Sequence, residues 1–197
     1  NEHRETMAAM VEQVSAQVFM PLTIGGGITS VADMQRILRA GADKTAINSA
    51  AVANPELIRA GAEKFGNQCI VVAIDAAWDA AAGQYRVYTH GGQQATDLDA
   101  VAWAKQAVAL GAGELLVTSM DRDGTKAGFD TKLYQALGAT VNVPIIASGG
   151  AGNLQDFVDV FSTTPVDGAL AASVFHFGEL TIADVKATLR KQGVVVR

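Results

Sequence analysis

Two glycine-rich stretches each follow a short apolar run in this sequence, "TIGGGITS" at 23–30 and "IASGGAGN" at 146–153. Glycine has no Cβ, so its backbone N–H groups can come close to a bound anion, and it tolerates the turns that such a loop needs. These residue types therefore predict phosphate chemistry at two places in the chain. The candidate residues are Gly26 and Gly27 in the first stretch and Ser148, Gly149 and Gly150 in the second.

The two stretches belong to a longer internal repeat. Aligning Pro21 with Pro144 sets "PLTIGGGI" over "PIIASGGA", at an offset of 123 residues. In each copy a small hydroxyl residue follows the glycine loop, after 23 residues at Ser49 and after 24 residues at Ser173. Turns that merely end strands explain a single glycine loop but not this paired spacing. The repeat predicts two anion sites, and therefore a ligand with a phosphate at each end.

Carboxylates are the other groups that could do chemistry. Asp75 ends the apolar run "VVAID", which predicts a carboxylate at the end of a strand, where it could act as a general acid or base. Asp75 could instead cap its loop or pair with Arg86. Asp121 and Asp123 follow "LLVTSM", and their "DRDG" sequence is also typical of a turn. The histidines and the one cysteine show no metal-ligand spacing, so we expect neither a metal nor a cofactor.

Short apolar runs alternate with amphipathic stretches, and this alternation is typical of parallel βα units. "QYRVYT" resembles an extra hairpin arm, and "HGGQQAT" after it resembles a functional loop. Ser30, Asn54, Asp97, Asp130 and Asn153 are predicted helix caps. The predicted strands are 20–24, 43–48, 69–75, 114–118, 144–147 and 167–172, and the predicted helices are 4–18, 31–40, 54–65, 98–110, 130–140, 153–161 and 181–191.

These elements predict an α/β fold of the (β/α)8 TIM-barrel family, with about six parallel strands and seven helices. Residues 1–197 contain no linker or low-complexity stretch, so we expect a single domain. Projecting the repeat backwards places the partners of two strands before residue 1. We therefore expect an incomplete barrel that lacks its first two strands, with both phosphate sites at the carboxyl ends of the strands.

Composition restricts the function classes. The 197 residues are 49% hydrophobic, which is sufficient for a substantial core, and the formal net charge is −5. An acidic chain is not expected to bind nucleic acid, and no apolar run is long enough to predict a membrane span. The amino terminus also shows no signal-peptide pattern, so we expect a cytoplasmic protein.

Several longer runs resemble the cyclase subunit of imidazole glycerol phosphate synthase, an enzyme of histidine biosynthesis. They are "VVAIDA…YTHGG", "GAGELLVTSMDRDGTKAGFD", "PIIASGGAG" and "GALAASVFHFGE", and the resemblance covers essentially the whole chain. The resemblance implies a (β/α)8 barrel that takes ammonia from a glutaminase subunit. It also implies cyclisation of a phosphoribulosyl-formimino aminoimidazole carboxamide ribotide, which carries two terminal phosphates. The products would be imidazole glycerol phosphate and an aminoimidazole carboxamide ribotide.

Residue by residue, the resemblance implies roles at matching positions. Asp75 would be one of two catalytic aspartates and Asp123 a supporting acid near the substrate. Asp43 would lie on the face where the glutaminase docks. The implied site-lining residues are Thr118 and Ser148; the implied phosphate ligands are Gly26, Gly27, Asn48 and Ser49 at one end and Gly149, Gly150, Ala172 and Ser173 at the other; and the implied ammonia gate contains Lys44 and Glu114.

One feature of the family is not matched. Family members begin with a strand reading like "CLDV", whose aspartate is the other catalytic carboxylate, and these 197 residues contain no equivalent. Two alternatives to the cyclase therefore stay open: the sister isomerase of the same pathway, and a non-catalytic barrel fragment that binds phosphate. "VYTHGG" and "DRDGTK" favour the cyclase. The expected open strand edges also predict that the chain either self-associates or rearranges local structure to cover them, and we favour self-association.

Overall fold

The structure, a computed structural model, describes residues 2–197, and the side chains from Met7 onward. The chain forms two compact units. The first unit contains the residues up to Ala73 together with Gln106–Glu114, and the second contains Ile74–Lys105 and Leu115–Arg197. Three elements run from one unit into the other: β3 (Ile70–Asp79), α5 (Ala100–Ala109) and β6 (Glu114–Ser119).

The first unit alternates strands and helices. β1 pairs with β2 in parallel, with Thr23 opposite Lys44, and β2 pairs in parallel with the beginning of β3. At the beginning of β6, the Gly113 N–H donates to the Ile70 carbonyl at 3.0 Å. The other elements are α1 (Glu2–Ser15), β1 (Thr23–Gly25), α2 (Val31–Arg39), β2 (Lys44–Ile47), α3 (Ser49–Ala53), α4 (Glu56–Phe65) and a 3-10 helix (Asn67–Cys69).

The core of the first unit lies between helices α2 and α4 and the sheet. Met34 of α2, Ile58 of α4 and Ile70 of β3 are completely buried. A Cβ placed on Gly61 of α4 would lie 2.8 Å from the Met34 sulfur and 2.9 Å from Ile70 Cδ1, so a larger residue here would require these two side chains to shift. The parallel ladder between β1 and β2 places the carboxyl ends of both strands at one edge of the sheet.

The second unit combines parallel strands with an antiparallel hairpin. β6 pairs in parallel with β7, and β7 with β8, while the end of β3 pairs antiparallel with β4 and β4 with β5. The Met120 N–H donates to the Ala76 carbonyl at 2.8 Å, next to the end of β6. The other elements are β4 (Gln84–Thr89), β5 (Gln94–Asp99), α6 (Thr131–Gly138), β7 (Ile145–Ser148), α7 (Leu154–Thr163), β8 (Gly168–Leu170), α8 (Ser173–His176) and α9 (Ile182–Lys191).

Aromatic side chains fill the core of the second unit. The Phe157 ring lies 5.5 Å from that of Phe129 and 5.9 Å from that of Phe175, between centroids. Tyr134 of α6 is completely buried, and its hydroxyl oxygen lies 2.8 Å from the Ser148 carbonyl and 3.1 Å from the Val117 carbonyl, which share its one donor hydrogen. Burial raises the Tyr134 pKa, so the hydroxyl stays protonated. The side chain thus joins β6 to β7 from the helix side.

The predicted α/β class and parallel strands of the (β/α)8-barrel family are confirmed. Six parallel strands and the helices at all seven predicted positions are present in the part that the structure describes, together with short helices α3 and α8. The hairpin arm at 84–89 is also present as β4. The prediction that 1–197 form a single domain stays a prediction. Among residues 2–197, no helix is long and apolar enough to cross a membrane.

Some local predictions were wrong. Residues 94–96, expected in a loop, form the beginning of β5, because they complete an antiparallel ladder with β4. Asp97 is inside that strand, and it is the Asp99 carboxylate that accepts the Ala102 N–H at 2.8 Å. At α4, Asn54 makes no side-chain cap, since Pro55 occupies the cap position. Ser30, Asp130 and Asn153 do cap their helices.

Candidate active site

The first glycine loop follows β1. Gly26 and Gly27 are exposed, with φ of +93° and +68°, and a Cβ on either would meet no atom within 4 Å. Glycine is therefore favoured here by the backbone angle and not by crowding. The two glycines line a cavity of about 280 Å³ together with Met7, Ile28, Thr29, Asp33, Arg36 and Ile37. Arg36, whose guanidinium lies 3.3 Å from Asp33, brings a cation to this cavity that the sequence analysis had not singled out.

Asn48 and Ser49 follow β2, which is the neighbour of β1. Gly25 is opposite Ala46 in the parallel register, so the segments after both strands leave the same edge of the sheet. Asn48 caps α3 through its backbone, its carbonyl accepting the Ala51 N–H at 2.8 Å. The lining of the 280 Å³ cavity, as far as the structure describes it, includes the glycines but neither Asn48 nor Ser49. Their role at a phosphate stays a prediction.

The second glycine loop forms a cavity of about 240 Å³ at the carboxyl ends of β7 and β8. Six residues predicted from the sequence line it, and Gly124, Lys126, Ala151, Leu170 and Ala171 complete the lining. Ser148 is opposite Leu170 in the parallel register, which brings the two strand ends together. The six predicted residues are Asp123, Ser148, Gly149, Gly150, Ala172 and Ser173.

Close packing requires glycine in this second loop. A Cβ on Gly150 would lie 2.2 Å from the Gly128 carbonyl oxygen, and one on Gly149 would lie 2.7 Å from the Ser119 carbonyl oxygen. Their φ values of +106° and +92° also disfavour any side chain. The Gly128 N–H donates to the Gly150 carbonyl at 2.9 Å, so the loop that follows β6 packs directly on this one. Thr118, a further predicted site residue, is opposite Ser148 in the β6–β7 ladder.

Asp75 does not end its strand, contrary to the sequence analysis. β3 continues to Asp79, because from Asp75 onward it pairs antiparallel with β4, beginning opposite Tyr88. Asp75 is therefore the first residue of the hairpin ladder, and it is half-buried. The guanidinium of Arg86, the suggested alternative partner of Asp75, binds Asp79, with its Nε 2.9 Å from Oδ2.

The hairpin is fastened by its own carboxylates and by the loop after β6. The Asp79 carboxylate accepts the N–H groups of Ala82 and Ala81 and binds Arg86, and these contacts lower its pKa. Asp121 Oδ2 accepts the Trp78 N–H at 2.7 Å. Asp121 therefore has a structural contact of its own.

Asp123 lies two residues further along the same loop. Its N–H donates to the Ser119 carbonyl at 2.9 Å, within the turn that "DRDG" predicts. Asp123 is exposed, and it lines the 240 Å³ cavity. The turn and the site residue are thus parts of one loop.

An ion pair connects the amino ends of two strands in the first unit. Lys44 Nζ, at the beginning of β2, lies 2.6 Å from Glu114 Oε2, at the beginning of β6. Glu114 is buried, with 8% of its surface exposed, while the Lys44 side chain is 28% exposed. Nearby in sequence, exposed Asp43 accepts the Leu22 N–H at 2.7 Å. The two predicted gate residues therefore contact each other directly.

Sequence reasoning missed a polar cluster beside the second cavity. Asp130 was identified as a helix cap, and it does accept the Leu133 N–H at 3.2 Å. It also accepts hydrogen bonds from the hydroxyls of Tyr85 and Ser119, each at 3.0 Å. Burial and the adjacent Asp130 carboxylate raise the Tyr85 pKa, so its hydroxyl remains a donor. A cap signal in the sequence reveals one of these three contacts and not the other two.

The two histidines whose side chains are described are His90 and His176. His90 has a φ of +54° in the hairpin turn, and its Nδ1 lies 3.1 Å from Thr89 Oγ1. His176 ends the short helix α8, and the side chain of His3 lies outside the described residues. Among the side chains from Met7 onward, no three of His, Cys, Asp or Glu form a group that could hold a metal ion.

A family model described as "Histidine biosynthesis protein" matches residues 1–181 of this chain. The chain is also similar to proteins named imidazole glycerol phosphate synthase subunit HisF. It is 63% identical to that of Lacticaseibacillus paracasei, covering 100% of this chain and 78% of the relative. The Limosilactobacillus fermentum protein is 63% identical, with 100% and 76% covered, and the Geobacillus thermodenitrificans protein is 57% identical, with 100% and 78% covered.

Proposed function

This chain belongs to the histidine biosynthesis protein family, among the cyclase subunits of imidazole glycerol phosphate synthase, and from that premise we propose how its residues serve the reaction. The activity is the ammonia-dependent cyclisation of a phosphoribulosyl-formimino ribotide to imidazole glycerol phosphate and an aminoimidazole carboxamide ribotide. The observation that carries the proposal is the 240 Å³ cavity, because six residues chosen from the sequence line it.

The second cavity is proposed to hold one substrate phosphate. Gly149 and Gly150 have no side chains that would keep the anion from the backbone, and Ser173 offers a hydroxyl donor. Lys126 lines the same cavity and supplies positive charge, while its Nζ also lies 2.6 Å from Glu179. These donors suit a phosphate better than an uncharged ligand.

The first glycine loop is proposed to hold the other phosphate. Gly26 and Gly27 present an exposed backbone beside Arg36, and Asn48 and Ser49 leave the same sheet edge. A substrate with a phosphate at each end is the ligand that two such loops favour. Each phosphate site is proposed separately, the first in the first compact unit and the second in the second compact unit.

Asp75 and Asp123 are proposed to perform the acid–base work. Ring closure and elimination both require proton transfers, and a carboxylate within reach of the reacting atom can supply them. Asp75 stands where β3 leaves the parallel sheet and enters the hairpin. Asp123 lines the cavity, as does Ser148, which is opposite Thr118 in the β6–β7 ladder. We assign Asp75 the catalytic role and Asp123 a supporting one.

Ammonia is proposed to come from a glutaminase subunit. The curated relatives are subunits by name, so a partner chain is expected. The Lys44–Glu114 ion pair lies at the amino ends of its strands and is proposed as part of the gate that ammonia passes. Asp43 is proposed to face the partner, since its side chain is exposed. The cytoplasmic location stays a prediction.

The isomerase alternative is not favoured, because the relatives of this chain carry the synthase subunit name.

Self-association of the chain is proposed from its strand edges. Within the described residues, β1 pairs only with β2 and β8 only with β7. Exposed apolar side chains accompany both edges: Phe19 and Met20 are 94% and 71% exposed before β1, and Leu170 on β8 is 43% exposed. A second copy of the chain could cover such edges.

A cyclase assay with an ammonium salt in place of the glutaminase tests the proposed function. We expect the chain to release the two products when an amino-terminal fragment of a relative, containing the "CLDV" strand, is added. Running the assay without the fragment measures what the 197 residues do alone. Substrate consumption with isomerised product and no cyclised product would support the isomerase instead, and phosphate binding without turnover in either assay would support the non-catalytic alternative.

A further inference from the structure

The loop at 120–128, which carries Asp123, is held at its beginning and its end by one carboxylate. Asp130 follows the loop and is buried, with 7% of its surface exposed. Its Oδ1 accepts the Leu133 N–H, and its Oδ2 accepts the Ser119 hydroxyl at 3.0 Å. Ser119 is the residue directly before the loop and is completely buried. The Asp130 carboxylate therefore joins the two ends of the loop.

Ser119 transmits this contact to Asp123. The Ser119 carbonyl accepts the N–H of Asp123 at 2.9 Å and that of Arg122 at 3.2 Å. The Ser119 residue thus binds Asp130 through its side chain and the Asp123 backbone through its carbonyl. A change at Asp130 would reach Asp123 through two successive hydrogen bonds.

The same carboxylate also holds the hairpin. The Tyr85 hydroxyl on β4 donates to Asp130 Oδ1 at 3.0 Å. The Tyr85 ring stands edge-on to Trp78 of β3, with 5.1 Å between the centroids. The backbone N–H of Trp78 in turn donates to the carboxylate of Asp121, which precedes Asp123 in the loop. The hairpin and the loop are therefore joined at two separate points.

Helix capping alone does not explain this arrangement. A cap needs one acceptor oxygen, which Asn or Ser supplies as well as Asp. A buried carboxylate costs free energy unless several donors surround it, and here the two hydroxyls and the Leu133 N–H do so. The Tyr85 hydroxyl connects Asp130 to the hairpin, and the Ser119 hydroxyl connects it to the beginning of the loop.

We propose that Tyr85, Asp130 and Ser119 form a clamp that fixes the Asp123 loop against the hairpin continuing from Asp75, so that Tyr85 and Asp130 are positioning residues for the site. The functional meaning of the clamp rests on the proposed cyclase function. The clamp itself is a statement about hydrogen bonds, so it can be tested without substrate.

Amide hydrogen exchange on the full chain tests the clamp. Tyr85→Phe removes the hydroxyl and keeps the ring against Trp78. We expect exchange at the N–H groups of Trp78 and Asp123 to accelerate about tenfold, because one hydrogen bond of the clamp is lost. Exchange at Gly152 and Asn153, whose N–H groups bind Asp156, should not change. Thr140→Val, which removes an exposed hydroxyl bonded to Ala136, is the matched control and should leave both sets unchanged.

A conservative pair of variants separates positioning from general stability. Asp130→Asn keeps an oxygen that accepts from Tyr85, and its amide NH2 can donate to the Ser119 hydroxyl oxygen, so exchange at Trp78 and Asp123 should stay near the original rate. Asp130→Ala removes both and should accelerate exchange at least as much as Tyr85→Phe. Equal acceleration at every amide of the second unit, or no change at Asp123 in Tyr85→Phe, would overturn the clamp. If Asp130→Ala does not fold, the Tyr85→Phe result alone decides. The outcome does not depend on whether the chain turns over substrate.

Discussion

Lys44 and Glu114 are 70 residues apart in the chain, yet Lys44 Nζ lies 2.6 Å from Glu114 Oε2 at the amino ends of two strands. The carboxylate is largely buried, with a side-chain exposure of 11%. Glu114→Gln keeps the shape and removes the charge that Lys44 faces. We expect the free energy of unfolding to fall by about 1–3 kcal/mol, measured by urea titration, because a partly buried ammonium loses its charged partner.

An exposed ion pair of the same unit is the control for that prediction. Glu56 and Arg59 lie 3.0 Å apart on α4, with side-chain exposures of 67% and 48%. Glu56→Gln should change stability by no more than about 0.5 kcal/mol, since water screens such pairs. Equal effects of the two substitutions would show that burial does not increase the contribution of the Lys44–Glu114 pair to the free energy of unfolding.

The two glycine loops should respond differently to alanine. Gly150→Ala places a Cβ against the Gly128 carbonyl at a φ of +106°, so we expect a loss of about 3 kcal/mol or more. Gly27→Ala meets no atom within 4 Å at a φ of +68°, and only the backbone angle opposes it, at a cost of about 1 kcal/mol. Thermal unfolding of both variants measures this difference, and a larger loss in Gly27→Ala would contradict the packing of the two loops.

Both loops should bind inorganic phosphate. In crystals grown with phosphate, we expect one anion at the N–H groups of Gly149 and Gly150 near Ser173, and another near Gly26 and Ser49. The reason is that glycine loops leave the backbone N–H groups accessible to the anion. Empty loops at saturating phosphate would count against the proposed substrate with two phosphates.

The isolated 197-residue chain should self-associate. Light scattering is expected to give at least twice the monomer mass, because edge strands β1 and β8 have neighbours on one side only among the described residues. Leu170→Lys puts a charge on β8 and should shift the population toward monomer. A monodisperse monomer that unfolds cooperatively, with no bound peptide by mass spectrometry, would show the proposal to be wrong.

Local signals in the sequence located the helices and strands well, because they report interactions between residues close in the chain. Ser30 and Asn153 were recognised as caps since a cap binds an N–H two or three residues away. Asp75 was misplaced at a strand end because β3 is extended to Asp79 by pairing with β4, and a local pattern does not reveal that partner. The strand at 94–99 was missed for the same reason, since its polar residues pair with β4.

The candidate site was predicted in part. Glycine and serine spacing, together with the family resemblance, identified six residues of the 240 Å³ cavity, because the repeat places equivalent residues at equivalent strand ends. The Lys126–Glu179 and Tyr85–Asp130 contacts were not found, since each depends on residues 45 or more positions apart meeting in space. The spacing of residues along the chain does not predict contacts between residues that are so far apart in sequence.

The measurement that bears most directly on the proposed function is ammonium-dependent cyclase turnover by Asp75→Asn, with the amino-terminal fragment supplied and Asp79→Asn as the matched control. Asp79 lies on the same strand, but its carboxylate is bound to Arg86 and to the hairpin backbone. We predict that kcat falls by roughly 10²-fold or more in Asp75→Asn, because a general acid or base is lost, and that Asp79→Asn stays near the original rate. Unchanged turnover in Asp75→Asn with a comparable loss in Asp79→Asn, or no cyclised product from the unmodified chain, would contradict the assignment.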